Sequence, residues 1–186
     1  MRDLYRGQLV RLGREEPETF AKAESRWESD SEYHRLADSG PARLWSEKKI
    51  KEWIEKRDAR ENRFGFSIRS LADDKLIGDI GLYVSDWASG EAWVGIAIGE
   101  RDFWGKGYGT DAMRLILAYA FLELNLRRVS LALHSYNERA QKSYEKAGFK
   151  MEGVMRGEVL REGRRSDTLF MGILREEWLA VEGAAP

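Results

Sequence analysis

The chain reads as an α+β protein whose sheet is mixed, neither purely parallel nor a sandwich. Three observations predict this. Apolar spacing switches between the helical period and the two-residue period of strands, in the order β-α-α-β-β-β-α-β-α-β-β. Two polar turns, Ala72-Asp73-Asp74-Lys75 and Glu162-Gly163, join strand-like runs into hairpins. A glycine-rich loop, Gly105-Lys106-Gly107-Tyr108-Gly109-Thr110, separates an apolar strand from a long helix.

Arg6–Leu12 alternates weakly and is expected as a first strand. Pro17 suits the first turn of a helix. Glu28–Gly40 is polar and expected to be irregular. Ser46 can cap a helix to about Arg60, with Ile50, Trp53 and Ile54 on one face. Phe64, Phe66 and Ile68 alternate as a strand, and Leu76–Val84 returns beside it. Ala92–Ile98 is more apolar, which predicts burial on both faces. A helix runs from the glycine loop to about Leu124. Val129–Leu133 is a buried strand, and Glu138–Ala147 a short helix stopped by Gly148. Met151–Leu160 and Arg164–Leu174 complete the hairpin around Glu162-Gly163. One domain over residues 1–181 with a flexible tail at 182–186 is expected.

The 186 residues suffice for a real core and carry seven each of Trp, Tyr and Phe. Lys and Arg number 31 against 32 Asp and Glu, a balance that argues against a nucleic-acid partner. Cysteine is absent, so there is no disulfide, thiolate metal site or cysteine nucleophile. No cluster of His, Asp and Glu has metal-ligand spacing, so no metal is expected. The longest apolar run, Leu115–Leu122, is far short of the roughly 20 residues a membrane helix needs. Met1–Val10 lacks the apolar stretch of a signal peptide. A cytoplasmic protein with no membrane partner is expected.

Glycines let the backbone approach a ligand, and the first amides of the following helix point at it. With Lys106 alongside, Gly105–Thr110 reads as a phosphate cradle; a tight turn needing glycine for its angles alone is the other reading. A Walker A loop does not fit, because five residues separate Gly99 from Gly105-Lys106 and Gly107 follows the lysine. The dinucleotide fingerprint fails too: the spacing is G-x-G-x-G, and the next strand ends at His134-Ser135 without an acid.

What remains resembles the GCN5-related N-acetyltransferase (GNAT) superfamily, whose acetyl-CoA loop reads Q/R-x-x-G-x-G/A. Gly107 and Gly109 match, while Trp104 stands where Gln or Arg is usual. That departure is similar to the ribosomal-protein alanine and spermidine acetyltransferases. A second block, Asn137 to Phe149, is similar to the family's N-x-x-A-x-x-x-Y-x-K-x-G-F. Gly163–Asp167 and Met171–Leu174 also look like that subfamily, and the resemblance spans Arg6 to Trp178.

The resemblance implies an acetyl-CoA N-acyltransferase fold: a central, mostly antiparallel sheet flanked by helices, its fourth and fifth strands splayed. The pantetheine arm of acetyl-CoA would enter between Ala92–Ile98 and Val129–Leu133 and pair with the backbone of Ile96, Ala97 and Ile98. Trp104 and Gly105–Thr110 would meet the pyrophosphate, and Asn137 would join the cofactor site. The implied activity moves an acetyl group directly to a primary amine, such as a protein N-terminus, a polyamine, an amino sugar or an aminoglycoside. A non-catalytic CoA-binding or regulatory domain of the same fold is the alternative. A homodimer is a further partner state the reading allows.

Acetyl transfer needs a neutral amine, a stabilised oxyanion and a proton for the departing sulfur. Asn137, Ala140, Gln141 and Tyr144 share one helix face. Tyr144 is the candidate acid, as the resemblance also implies; its other reading is a core aromatic. Several relatives carry a glutamate where Trp93 stands. Glu91 lies two residues earlier on the same strand face, as a base or as a solvated strand-end charge. His134 ends the fifth strand, as a base or as a structural histidine. His34 sits among polar residues with no evident role. Glu15–Asp38 is rich in acids and would draw cationic acceptors, or is an ordinary solvated surface.

Overall fold

A computed structural model describes residues 2–14 and 16–183. The chain forms seven strands: β1 (Val10–Gly13), β2 (Arg63–Ser70), β3 (Leu76–Asp86), β4 (Glu91–Ile98), β5 (Arg128–His134), β6 (Lys150–Arg161) and β7 (Arg164–Leu174). They make one sheet in the order β1-β2-β3-β4-β5-β7-β6. All neighbours are antiparallel except β4 and β5, which run parallel and pair only over Glu91–Trp93 and Arg128–Ser130. Beyond those residues the two strands part, which is the expected splay.

Period-two alternation gives the sheet one sealed face. Ala92 and Val94 of β4, Val129, Leu131 and Leu133 of β5, and Leu169, Met171 and Ile173 of β7 enter one core. Helix α4 (Tyr108–Ala118) lies in that core with Ala112, Met113, Ile116 and Leu117 fully enclosed. It continues as a π-helical turn, Tyr119–Glu123, so the helix ends near the expected Leu124. Burial of β4 on both faces does not hold. Trp93 is 40% exposed, and further along β4 Gly95 and Ala97 line an open cleft instead of meeting a second layer.

Helices α1 (Pro17–Trp27), α2 (Ser31–Ala37) and α3 (Glu47–Asp58) build a smaller cluster around Phe20, Trp27, Tyr33, Ile50 and Ile54. Ser46 caps α3 as expected, accepting from the Lys49 amide. The segment 28–40 is not irregular, for it contains α2. Asp30 caps that helix by accepting from the Glu32 and Tyr33 amides, and Tyr33 and His34 are buried. His34 ties the segment together, with Nδ1 3.0 Å from Glu28 and Nε2 3.2 Å from the Gly40 carbonyl. The first strand is shorter than Arg6–Leu12: Gly7 donates to the Val10 carbonyl in a turn, and only Val10–Gly13 pairs with β2. Helix α5 spans Glu138–Lys146, and Gly148 follows it at φ +100°. Glu162 and Gly163, at φ +51° and +73°, make the expected hairpin turn. A last helix, α6 (Arg175–Gly183), was not expected from the sequence and buries Trp178. It includes the first two residues of the expected tail; 184–186 lie outside the described residues.

Glu24 of α1 accepts a hydrogen bond from the Tyr33 hydroxyl at 3.2 Å. Burial, and after it the carboxylates of Asp79 and Glu28, push its carboxyl up to about 8. The folded protein therefore holds a proton that the unfolded chain releases. Stability is full below the ordinary carboxylate range and falls as pH rises through about 8. Replacing Glu24 by glutamine is expected to flatten that fall. The check is the melting temperature of both proteins across roughly pH 5 to 9; parallel curves would mean another group carries the proton.

Candidate active site

The open face of β4 and β5 forms a cleft of about 1100 Å³. Its two ends differ in chemistry. At one end lie Trp104, Gly105, Gly107, Gly109 and Thr110 with Arg139, Lys142 and Lys146 of α5. At the other lie Tyr33, Leu36, Ala37, Asp38 and Ser39 with His134, Glu158, Thr168 and Phe170. Tyr144 lines the cleft between the strands and α5.

The glycine loop earns its conformation at Gly107, whose φ of +92° places it as the residue before α4. The amides of Tyr108, Gly109 and Thr110 then stand in the first turn, where no helical carbonyl can accept from them. Thr110 Oγ1 lies 2.8 Å from Ser143 Oγ and fastens this turn to α5. Lys106 and Tyr108 are not among the lining residues; the Tyr108 ring packs edge-on against Phe103 at 4.8 Å.

Trp104 holds the loop from behind. Its indole donates to the Ile98 carbonyl at 2.6 Å, and the Arg139 guanidinium lies 3.9 Å from the ring centroid. A tryptophan at the usual Gln/Arg position thus pins the loop to the end of β4. It also occupies the backbone acceptor of Ile98. The Gly99 amide donates to Ile77 on β3, so alternation turns Ala97 toward β3, and Ile96 and Ile98 toward the gap. Of the three residues expected to offer backbone to an extended ligand, Ala97 faces the wrong way.

Asn137 lines the cleft, yet both ends of its side chain are engaged. Oδ1 accepts from the Ala140 amide at 3.2 Å, capping α5, and Nδ2 donates to the Leu36 carbonyl at 3.3 Å. It joins α5 to the strap Arg35–Gly40. The Tyr136 hydroxyl donates to the Arg35 carbonyl at 2.7 Å, and Arg161 donates to the carbonyls of Asp38 and Gly40. Arg35 pairs with Glu162 at 2.5 Å, so the strap is fastened to the β6–β7 hairpin as well.

Three residues were singled out for catalysis. The Tyr144 hydroxyl makes no hydrogen bond among the described residues, and burial pushes its pKa up to about 12. His134 lines the Asp38 end of the cleft, its ring stacked on Tyr136 at 5.1 Å. Glu91 is not brought to the site. It stands where β4 and β5 are still paired, in an ion pair with Arg127 at 2.9 Å, and does not line the cleft. The acidic stretch before the strap is largely neutralised: Glu18 pairs with Lys51, and Asp30 and Glu32 with Arg101. Asp38 alone of those acids lines the cleft, and Glu158 of β6 joins it; Glu15 lies outside the described residues. Among the described residues no group of side chains could hold a metal ion, and no helix is long and apolar enough to cross a membrane.

Several lining residues went unnoticed in the sequence. Arg139, Lys142 and Lys146 recur at i, i+3 and i+7, a helical stripe that could have been read. Ser143 falls at an unspecified position of the Asn137–Phe149 block, while Glu158, Thr168 and Phe170 sit in no motif; only the register of the strands and the packing of α5 on α4 bring them in.

Comparisons with known proteins bear on this arrangement. A family model described as an acetyltransferase (GNAT) domain matches residues 9–150. The uncharacterized N-acetyltransferase p20 of Bacillus licheniformis is 29% identical over 121 residues, 65% of this chain and 66% of the relative. The probable N-acetyltransferase YjcK of Bacillus subtilis (strain 168) is 33% identical over 131 residues, 70% of this chain and 71% of the relative. Among solved structures, spermidine N-acetyltransferase from Vibrio cholerae in complex with CoA and spermine aligns with a TM-score of 0.79 at 23% identity. That alignment covers 92% of this chain and 98% of the other, and shows a shared fold. With a family match across most of its length and the splayed mixed sheet that the fold demands, the chain belongs to the GNAT acetyltransferase family.

Proposed function

We propose that the protein transfers an acetyl group from acetyl-CoA directly to a primary amine held at the Asp38 end of the cleft. The observation that carries this is one continuous cleft in which first-turn amides, a gap between β4 and β5, and the Tyr144 hydroxyl meet. Acetyl-CoA would supply a thioester whose sulfur leaves as the amine nitrogen bonds to the acetyl carbon. The residues fit such a donor. The amides of Tyr108–Thr110 suit a pyrophosphate, and Arg139, Lys142 and Lys146 supply positive charge for its phosphates. Ile96 turns its backbone into the gap, where an extended arm would take the place of a strand. Tyr144 donates to the sulfur as charge develops there. His134 accepts the proton that the amine gives up.

The acceptor reading rests on charge. Asp38 and Glu158 bring carboxylates to that end, Glu138 of α5 is a third lining carboxylate and pairs with Lys142 at 3.7 Å, and Phe170 offers an apolar floor. This suits a cationic alkyl amine, a class that includes the spermine bound by the solved relative. A panel of amines with labelled acetyl-CoA tests the reading, scored by thiol release. A chain that binds CoA but releases no thiol with any amine would be a binding module. Converting Asp38 to asparagine and Glu158 to glutamine together is expected to raise KM for a diamine about tenfold relative to a monoamine. The asparagine keeps the acceptor for the Gly40 amide, which lies 2.6 Å from Asp38 Oδ1. Equal effects on both amines, or a KM that ignores added salt, would remove these carboxylates from recognition.

A further inference from the structure

His134 and Thr168 face each other across β5 and β7 in direct register. Both line the acceptor end of the cleft. Thr168 is only 6% exposed, and its Oγ1 has no hydrogen-bond partner. His134 Nδ1 is likewise buried and unpartnered. A buried hydroxyl and a buried ring nitrogen left without partners are costly. Side chains directly opposite in an antiparallel pair have Cβ atoms about 4.5–5.5 Å apart. That spacing, with one polar atom on each side, suits a single bridging water. The other ring nitrogen, Nε2, is not buried and makes no hydrogen bond among the described residues, so it is open to the cleft.

A neutral imidazole carries hydrogen on one nitrogen and a lone pair on the other, and the partner of the first decides which. We propose that Thr168 is a positioning residue: through one water its hydroxyl accepts from Nδ1–H of His134, leaving the Nε2 lone pair to take the acceptor amine's proton. Tyr136 fixes the plane of the ring by stacking on it and is itself held through its hydroxyl on the Arg35 carbonyl. The surrounding charge agrees with this tautomer. An ammonium group drawn in by Asp38 and Glu158 meets a lone pair at Nε2, where the other tautomer would oppose it with an N–H. The protons balance as follows: the ammonium loses one to Nε2, which returns it to solvent; the neutral nitrogen bonds to the acetyl carbon as the carbon–sulfur bond breaks, and the second proton that nitrogen then sheds ends, through solvent, on the departing sulfur. The inference rests on the acetyl-transfer reading for its kinetic half and on the fold alone for its tautomer.

The chain has two histidines, so selective ¹⁵N labelling of the imidazoles gives two ring systems, and a His134→Asn spectrum assigns them. With the ring neutral, His134 is expected to show a protonated Nδ1 and a bare Nε2. Thr168→Val keeps the shape and removes an unpartnered hydroxyl, so it is expected to fold. It should shift His134 toward the Nε2–H form and lower kcat about tenfold, with KM for the amine within about twofold. Thr168→Ser should restore both. A parent spectrum with hydrogen on Nε2 overturns the proposal, and this needs no variant. So does a Thr168→Val protein whose tautomer and kcat match the parent. Absence of acetyl transfer by the parent on every amine would overturn the catalytic reading, while the spectrum would still decide the tautomer.

Discussion

Gly109→Val is expected to weaken acetyl-CoA binding by at least about a hundredfold while the protein stays folded. A Cβ at this position would have ordinary contacts only, the nearest being Ser143 Oγ at 3.8 Å and Ile98 Cγ1 at 3.9 Å. The residue lies in the first turn of α4, where valine costs little in the helix. Its side chain would fill the space through which a phosphate must approach the amides. Losing two charge-assisted bonds of about 1.5–3 kcal/mol each corresponds to roughly 10²–10⁴ in affinity. Gly107, the other glycine that matches the motif, is a poorer probe. Its φ of +92° strains any side chain, so Gly107→Val confounds lost binding with lost fold. Titration calorimetry with CoA, alongside a melting curve, makes the measurement. Parental affinity in a folded Gly109→Val protein would move the donor site away from this loop.

Tyr144→Phe is expected to lower kcat by at least tenfold with little change in affinity for acetyl-CoA. Burial has pushed the phenol to about 12, so it keeps its proton throughout the neutral range. The same shift limits what it can do. An alkyl thiol ionises near 8.5, so complete proton transfer from this phenol to a thiolate runs uphill by roughly 3.5 pKa units, about 5 kcal/mol. In the proposed function Tyr144 would therefore act as a hydrogen-bond donor to the developing charge, with solvent completing the protonation. Such a bond matters mainly in the transition state, so it appears in kcat. The ring itself packs beside Phe149, with centroids 6.1 Å apart, and phenylalanine preserves that contact. A melting temperature near the parent's and a kcat within about twofold, with chemistry rate-limiting, would remove Tyr144 from the mechanism.

What could be read from the sequence was what repeats locally. Alternation placed the strands, Ser46 placed the start of α3, and the glycine loop placed the head of α4. Helix α2 escaped because its own apolar content is slight. It is held by tertiary contacts, with Tyr33 against α1 and His34 bridging Glu28 and Gly40. Glu91 illustrates the limit of face arguments. It shares a strand face with Trp93, yet it stands on the paired side of the point where β4 and β5 part. Only the position of that divergence along the strand separates a cleft residue from a surface one. Thr168 and Ser143 are ordinary residues in the chain, and a partner strand or a neighbouring helix gives each its place in the cleft.

The parting of β4 and β5 leaves a strand edge in the middle of the sheet rather than at its rim. Outer edges invite pairing with other chains. This one is narrow, walled by α5 and the strap, and closed at one end by the Trp104 indole on Ile98. In the proposed function an extended donor completes the missing ladder, so folding and donor supply share one equilibrium. At a hundred times its dissociation constant a ligand adds about 2.7 kcal/mol to the folded state. Without it, the centre of the sheet, usually the last region to open, becomes a seam along which local opening can begin. A population of this chain would then report the abundance of its own donor through its lifetime as well as through its turnover.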